Sequence, residues 1–139
     1  MNELPDNCHD EARRWLANTE DDLRTMRAVA RDPELPGRMA CFLAHLVVEK
    51  SLKSVLIDAA VPFTKTHDLE NLHDACLEVG RLESLDRDLL QSLGPWAIDG
   101  RYADDLVEAN RDAATRLAAF AEEVFEAARQ HLRSADGDQ

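Results

Sequence analysis

Apolar residues near the start of the chain recur at three- and four-residue spacing, which is the spacing of one face of an α-helix. This stripe predicts a first helix from about Asp6 or Asn7 to Ala30. The segment DPELPG, residues 32–37, ends it, because proline cannot continue a helix interior. The members of the stripe are Ala12, Trp15, Leu16, Leu23, Met26 and Ala30.

The next segment predicts a second helix from about Arg38 to Ala60. It is apolar nearly all round as far as Val48, which indicates a central helix that is the most buried of the set. A short third helix is predicted over residues 68–79. Its first turn follows Asp68, whose carboxylate can cap the helix by accepting a backbone N–H.

The rest of the chain predicts two more helices. The fourth is short, at about residues 86–93, and Gly-Pro follows it. The last should begin near Asp104 and reach about Arg133, with a narrow apolar stripe suited to packing against long neighbours. Residues 134–139 are expected to form a disordered tail.

No segment shows the strict alternation of apolar and polar residues that marks a β-strand. The pattern therefore predicts an all-α fold: one domain over residues 1–133, built as an up-and-down bundle of three long and two short helices.

The second helix carries polar residues in its apolar sequence. At 100° per residue, six residues fall on one face, and His45, Glu49 and Lys53 form what we call the polar seam. Either this face is exposed to solvent, or the seam is a partly buried cluster between helices or subunits, where its charges would need partners. Candidate partners are the arginines of the first helix, Asp99 and Arg101. The face comprises Arg38, Phe42, His45, Glu49, Lys53 and Leu56.

Charge and cysteine content narrow the classes of function. The formal net charge of -12 should repel nucleic acid and anionic lipid at long range. The three cysteines form no C-x-x-C pair, so neither a disulfide framework nor a metal site is predicted. No cofactor is expected. The chain contains neither a secretory signal nor an apolar run long enough to span a membrane, so a cytoplasmic protein is predicted.

Four segments give the chain a resemblance to a known family. These are ARRWLANTEDDLRTMRAV (12–29), CFLAHLVVEKSLKSVLI (41–57), THDLENL (66–72) and GRYADD (100–105). In this order and at this spacing they resemble the HEPN family of small helical-bundle proteins, over about residues 7–130.

The resemblance implies a homodimer and a role in a toxin–antitoxin-like pair, often with a minimal nucleotidyltransferase as partner. Many relatives are metal-independent ribonucleases, whose signature is an Arg followed after four to six residues by a His near the start of a late helix. Arg101 is suitably placed, but no His follows it at that spacing. Arg38 and His45 satisfy the spacing on the second helix instead.

Two hypotheses follow. The preferred one is a non-catalytic or degenerate HEPN protein that binds a nucleotidyltransferase or a nucleotide, with the polar seam fixing helix register or dimer geometry. The alternative is a ribonuclease in which Arg101 and His45 are catalytic. Phosphate would then be held by Arg101, Tyr102, Arg38 and Lys53.

The remaining histidines are expected to be structural or solvated. His67 should order the loop before Asp68, and His9 and His131, near helix ends, should be exposed to water. His73 suggests no function.

Overall fold

Five α-helices and a short 3₁₀ turn make up the computed structural model, which describes residues 4–63, 65–97 and 111–137. The all-α bundle of three long and two short helices is confirmed, and the described residues contain no strand. The helices are α1 (Leu4–Arg31), α2 (Gly37–Asp58), α3 (Leu69–Glu78), α4 (Arg87–Leu93) and α5 (Arg111–Gly137), with the 3₁₀ turn at Gly94–Trp96.

The central position predicted for the second helix is confirmed. α2 packs against α1, α3 and α5, and against α4 and the 3₁₀ turn. Leu52, Val55 and Leu56 are fully buried. A helix with neighbours on every side must be apolar nearly all round, which explains its composition.

Side chains cap the two short helices. The Asp68 carboxylate accepts a hydrogen bond from the backbone N–H of Asn71 at 3.1 Å, at the start of α3. The Asp86 carboxylate accepts from the N–H groups of Asp88 and Leu89 at the start of α4. Each cap satisfies N–H groups that have no partner within the helix.

Helix ends differ from the sequence predictions at two places. α2 stops at Asp58 and not at Ala60, because Ala60 adopts a φ of 58° and the N–H of Val61 bonds back to the carbonyl of Leu56. α5 continues to Gly137, through part of the predicted disordered tail, since glycine is the first strong helix breaker after Arg133.

The predicted start of the last helix, near Asp104, lies outside the described residues. None of the described helices combines the length and the apolar composition needed to cross a lipid bilayer.

Replacing Leu52 with Ala should lower the free energy of unfolding by about 2–5 kcal/mol, because it leaves a cavity where α2 meets its neighbours. Urea denaturation followed by circular dichroism measures this. Leu35→Ala is the control: Leu35 is 40% exposed, so its change should stay within about 0.5 kcal/mol. Equal effects of the two substitutions would contradict the central position of α2.

Candidate functional site: a buried polar cluster on α2

A buried carboxylate, Glu49, organises the polar seam. Its Oε2 accepts a hydrogen bond from Lys53 Nζ at 2.8 Å, one helical turn further along α2. Its Oε1 lies 2.9 Å from His67 Nδ1, in the loop before α3, and 3.3 Å from His45 Nε2. We call His45, Glu49, Lys53 and His67 the Glu49 cluster.

The seam lies inside the bundle. The side chains of His45, Glu49 and Lys53 are 1%, 7% and 10% exposed, whereas that of His67 is 68% exposed. Of the two arrangements left open by the sequence, the solvent-exposed face is therefore wrong for these three residues. Arg38, on the same face but in the first turn of α2, is exposed.

His45 is held through one of its two ring nitrogens. Its Nδ1 lies 2.9 Å from the carbonyl oxygen of Leu93, at the end of α4. Because a carbonyl oxygen only accepts, Nδ1 must carry the proton in this contact. No described atom meets the other nitrogen, Nε2, in hydrogen-bonding geometry, although Glu49 is near.

Lys53 has two internal partners. Its ammonium group donates to Glu49 and also lies 5.6 Å from the centroid of the Phe63 ring, within range of a cation–π interaction. The cation is thus neutralised within the protein rather than presented to solvent.

The surroundings of Glu49 keep it ionised. Burial alone would raise its pKa, but the contacts from His45, Lys53 and His67 outweigh burial, and the net effect lowers the pKa of Glu49 from 4.5 to about 2. A carboxylate with such neighbours holds a fixed negative charge and does not exchange protons near neutral pH.

The contact between Glu49 and His67, in the loop before α3, was not predicted from the sequence. His67 was expected only to order the loop, and its pairing with Glu49 spans 18 residues. Helical periodicity does not extend across a loop, so no pattern linked the two. The sequence feature that comes nearest to predicting this contact is the Asp68 cap of α3, because it marks where the chain returns to pack against α2.

Lys50, the neighbour of Glu49 in the sequence, lies outside the cluster. It points to α1, where it donates to Asn18 and Asp22 at 3.1 and 2.8 Å. Arg101, Tyr102 and Asp99 lie outside the described residues. Of the arginines of α1, Arg24 pairs with Glu20 of the same helix and Arg27 pairs with Glu122 of α5.

A second ionic cluster ties the end of α2 to three other parts of the fold. Asp58, whose side chain is 5% exposed, pairs with His9 of α1. Its Oδ2 lies 3.3 Å from Arg81 and 3.7 Å from His131 of α5. The expectation that His9 and His131 are solvated is wrong, since they are 22% and 19% exposed. Burial, with Arg81 adding to it, lowers the pKa of His131.

His73 is a structural residue. It is 1% exposed, and its Nε2 accepts the backbone N–H of Leu85 at 3.0 Å, which fastens the loop between α3 and α4. Burial is the main reason why the pKa of His73 is lowered, so the neutral ring is favoured there.

These features together define a small all-α bundle protein with a largely buried polar cluster on its central helix. The HEPN domain family matches residues 12–131, and the chain belongs to that family. The resemblance drawn from four short motifs is thereby confirmed. No curated protein and no solved structure matches the chain.

Replacing Glu49 with Gln should lower the free energy of unfolding at neutral pH by about 3–5 kcal/mol, because Lys53 is left buried without its counter-charge. The effect should depend on pH. Because the pKa of Glu49 is lower in the folded chain than its ordinary 4.5, its charge stabilises the fold above about pH 4.5. That contribution is lost as the pH falls toward about 2.

Urea denaturation as a function of pH tests this. Between about pH 4.5 and pH 2, protonation of Glu49 should lower the free energy of unfolding of the wild type by about 3 kcal/mol. The Glu49→Gln variant should not show this decrease. Glu122→Gln is the matched control, because its ion pair with Arg27 is exposed and should be worth at most about 1 kcal/mol. Parallel pH curves for the wild type and Glu49→Gln would refute the assignment.

Proposed function

We propose that this HEPN protein is a binding subunit of a toxin–antitoxin-like pair, which acts through contact with a nucleotidyltransferase partner or a nucleotide and does not cleave RNA. The observation that carries the proposal is the closure of the Glu49 cluster. His45 and Lys53, two of the residues that the sequence offered for phosphodiester chemistry on α2, lie against Glu49 inside the bundle.

His45 is poorly suited to acid–base catalysis on RNA. A general acid or base must come within hydrogen-bond reach of the proton that it moves. His45 is 1% exposed, and its Nδ1 is committed to the carbonyl of Leu93. A role in attaching α4 to α2 fits this geometry better than a role at a substrate.

Lys53 is equally poorly suited to binding phosphate. A phosphate group would have to displace Glu49 from the ammonium and enter a space where only 10% of the side chain is exposed. Of the described candidates, Arg38 alone is exposed. His45 lies seven positions after Arg38, about 10 Å along the helix axis. Because Arg38 is exposed and His45 is buried, the two groups do not form one open site.

The overall charge also favours a protein partner. With a net charge of -12, long-range electrostatics should oppose association with RNA and assist association with a basic protein surface. The described surface exposes few large apolar side chains, chiefly Leu35 and Val79, each 40% exposed. A partner contact at this surface would therefore be mostly polar and sensitive to salt.

The absence of ribonuclease activity is tested by incubating the purified protein with bulk RNA in the presence of EDTA. We expect no degradation beyond that of a buffer control. Cleavage by the wild type that disappears in Arg101→Ala would overturn the proposal, because it would show a catalytic role for Arg101. His131→Gln is the control variant, since it changes a half-buried histidine that lies beside Asp58.

The binding role is tested by expressing the protein together with a nucleotidyltransferase encoded in the neighbouring reading frame. We expect the two to co-purify, with an affinity that falls as the salt concentration rises, and a homodimer of this chain within the complex by light scattering. A monomer that retains neither this enzyme nor a nucleotide at low salt would refute the proposal.

A further inference from the structure

Three potential metal ligands converge at the Glu49 cluster. His45, Glu49 and His67 each offer one ligand atom, and these atoms lie within 4.8 Å of one another. We propose that these three side chains bind one divalent first-row transition ion, such as zinc. This inference is independent of the proposed binding role and assigns the cluster a ligand of its own.

The spacing of the ligand atoms suits such an ion. Nitrogen and oxygen ligands lie about 2.0–2.1 Å from zinc, which places two ligands of a tetrahedral site about 3.3 Å apart. Glu49 Oε1 lies 3.3 Å from His45 Nε2 and 2.9 Å from His67 Nδ1. Two of the three pairs of ligand atoms are therefore close to the tetrahedral spacing. The third pair, His45 and His67, lies within 4.8 Å, and a rotation of the exposed His67 side chain can adjust that distance.

The orientation of His45 is that of a metal ligand. Its Nδ1–H is directed at the carbonyl oxygen of Leu93, which leaves the lone pair of the buried Nε2 facing the carboxylate of Glu49. The contact with Glu49 does not have hydrogen-bond geometry, so Nε2 is a buried polar atom without a hydrogen-bond partner among the described residues. A cation bound between Nε2 and the carboxylate would give this nitrogen a partner.

The groups around the ligands complete the arrangement. A metal-bound histidine commonly donates its second N–H to a backbone carbonyl, and a metal-bound carboxylate is itself hydrogen-bonded. Leu93 supplies the first contact, and Lys53 supplies the second by donating to Glu49 Oε2. The positive charge of Lys53 opposes a dication, so we expect an affinity below that of closed zinc sites made of thiolates.

An ion can reach the site through His67. This side chain is 68% exposed, while the other two ligands are buried. Rotation of His67 away from Glu49 would open the cluster to water, and the reverse rotation would close it over the ion. A water molecule can occupy the fourth coordination position of the ion. Binding would join the loop before α3 to α2.

The decisive experiment uses Co²⁺ as the probe, because its visible absorption reports both binding and coordination geometry. The full chain is stripped with EDTA, freed of chelator and titrated near neutral pH. We expect saturation at one ion per chain with the intense bands of a four- or five-coordinate site. Zn²⁺ should displace Co²⁺ and should raise the melting temperature in a concentration-dependent way.

His67→Gln is the principal variant, because His67 is exposed and its loss should leave the fold intact. Since loss of an outer partner of a ligand already weakens metal binding by about 10–100-fold, loss of a ligand should weaken it by about 100-fold or more. His131→Gln is the matched control, because His131 is a half-buried histidine of α5 that contacts Asp58 at the end of α2. This variant should bind Co²⁺ as the wild type does.

Absence of a Co²⁺ band in the wild type, or equal binding by the wild type and His67→Gln, would overturn the inference. Both results are read from absorption, so they stay separate from the outcome of the RNA and partner experiments. Circular dichroism of each variant confirms that a lost band reflects a lost ligand and not an unfolded chain.

Discussion

The carboxylate of Glu49, buried in the middle of the central helix, is the constraint on which the rest of the arrangement depends. Removing a charge from water costs several kcal/mol unless partners compensate for it. Here the partners come from α2 itself and from the loop before α3, and the end of α4 is fixed indirectly through His45. The native packing of three segments is thus linked to one charge.

Polar contacts also give directional information that the apolar core lacks. Apolar contacts on α2 would tolerate small shifts of a neighbouring helix, since burial depends on area and not on direction. The Glu49 cluster fixes α2 against the following loop and α4. The Asp58 cluster consists of Asp58, His9, Arg81 and His131. It fixes the end of α2 against α1, against α5 and against the segment that follows α3. Both clusters lie on the helix that has neighbours on every side.

This chain has the fold of the HEPN family, but a fold does not determine a function. The chemistry of the chain has to be inferred from its own residues. The polar residues of α2 contact one another inside the protein, which makes them better suited to organising the bundle, and to holding an ion, than to attacking RNA. The proposed function therefore places recognition elsewhere on the surface, where the net charge of -12 would assist contact with a basic protein.

Periodicity by itself determined the number and order of the helices and the central place of α2, because a helix surrounded by neighbours must be apolar on all sides. The sequence also located the cap at Asp68, since a cap is a local interaction between a side chain and the next turn. Family membership followed from four short motifs, because each is a contiguous segment of the sequence.

Only the tertiary structure decided which polar groups meet. The sequence placed His45, Glu49 and Lys53 on one face but could not say that the face is buried, nor that its partners are His67 and the carbonyl of Leu93. It likewise gave no sign that His9 and His131, at distant points of the chain, share Asp58. Such pairings depend on how loops return the chain to the bundle, and helical spacing carries no information across a loop.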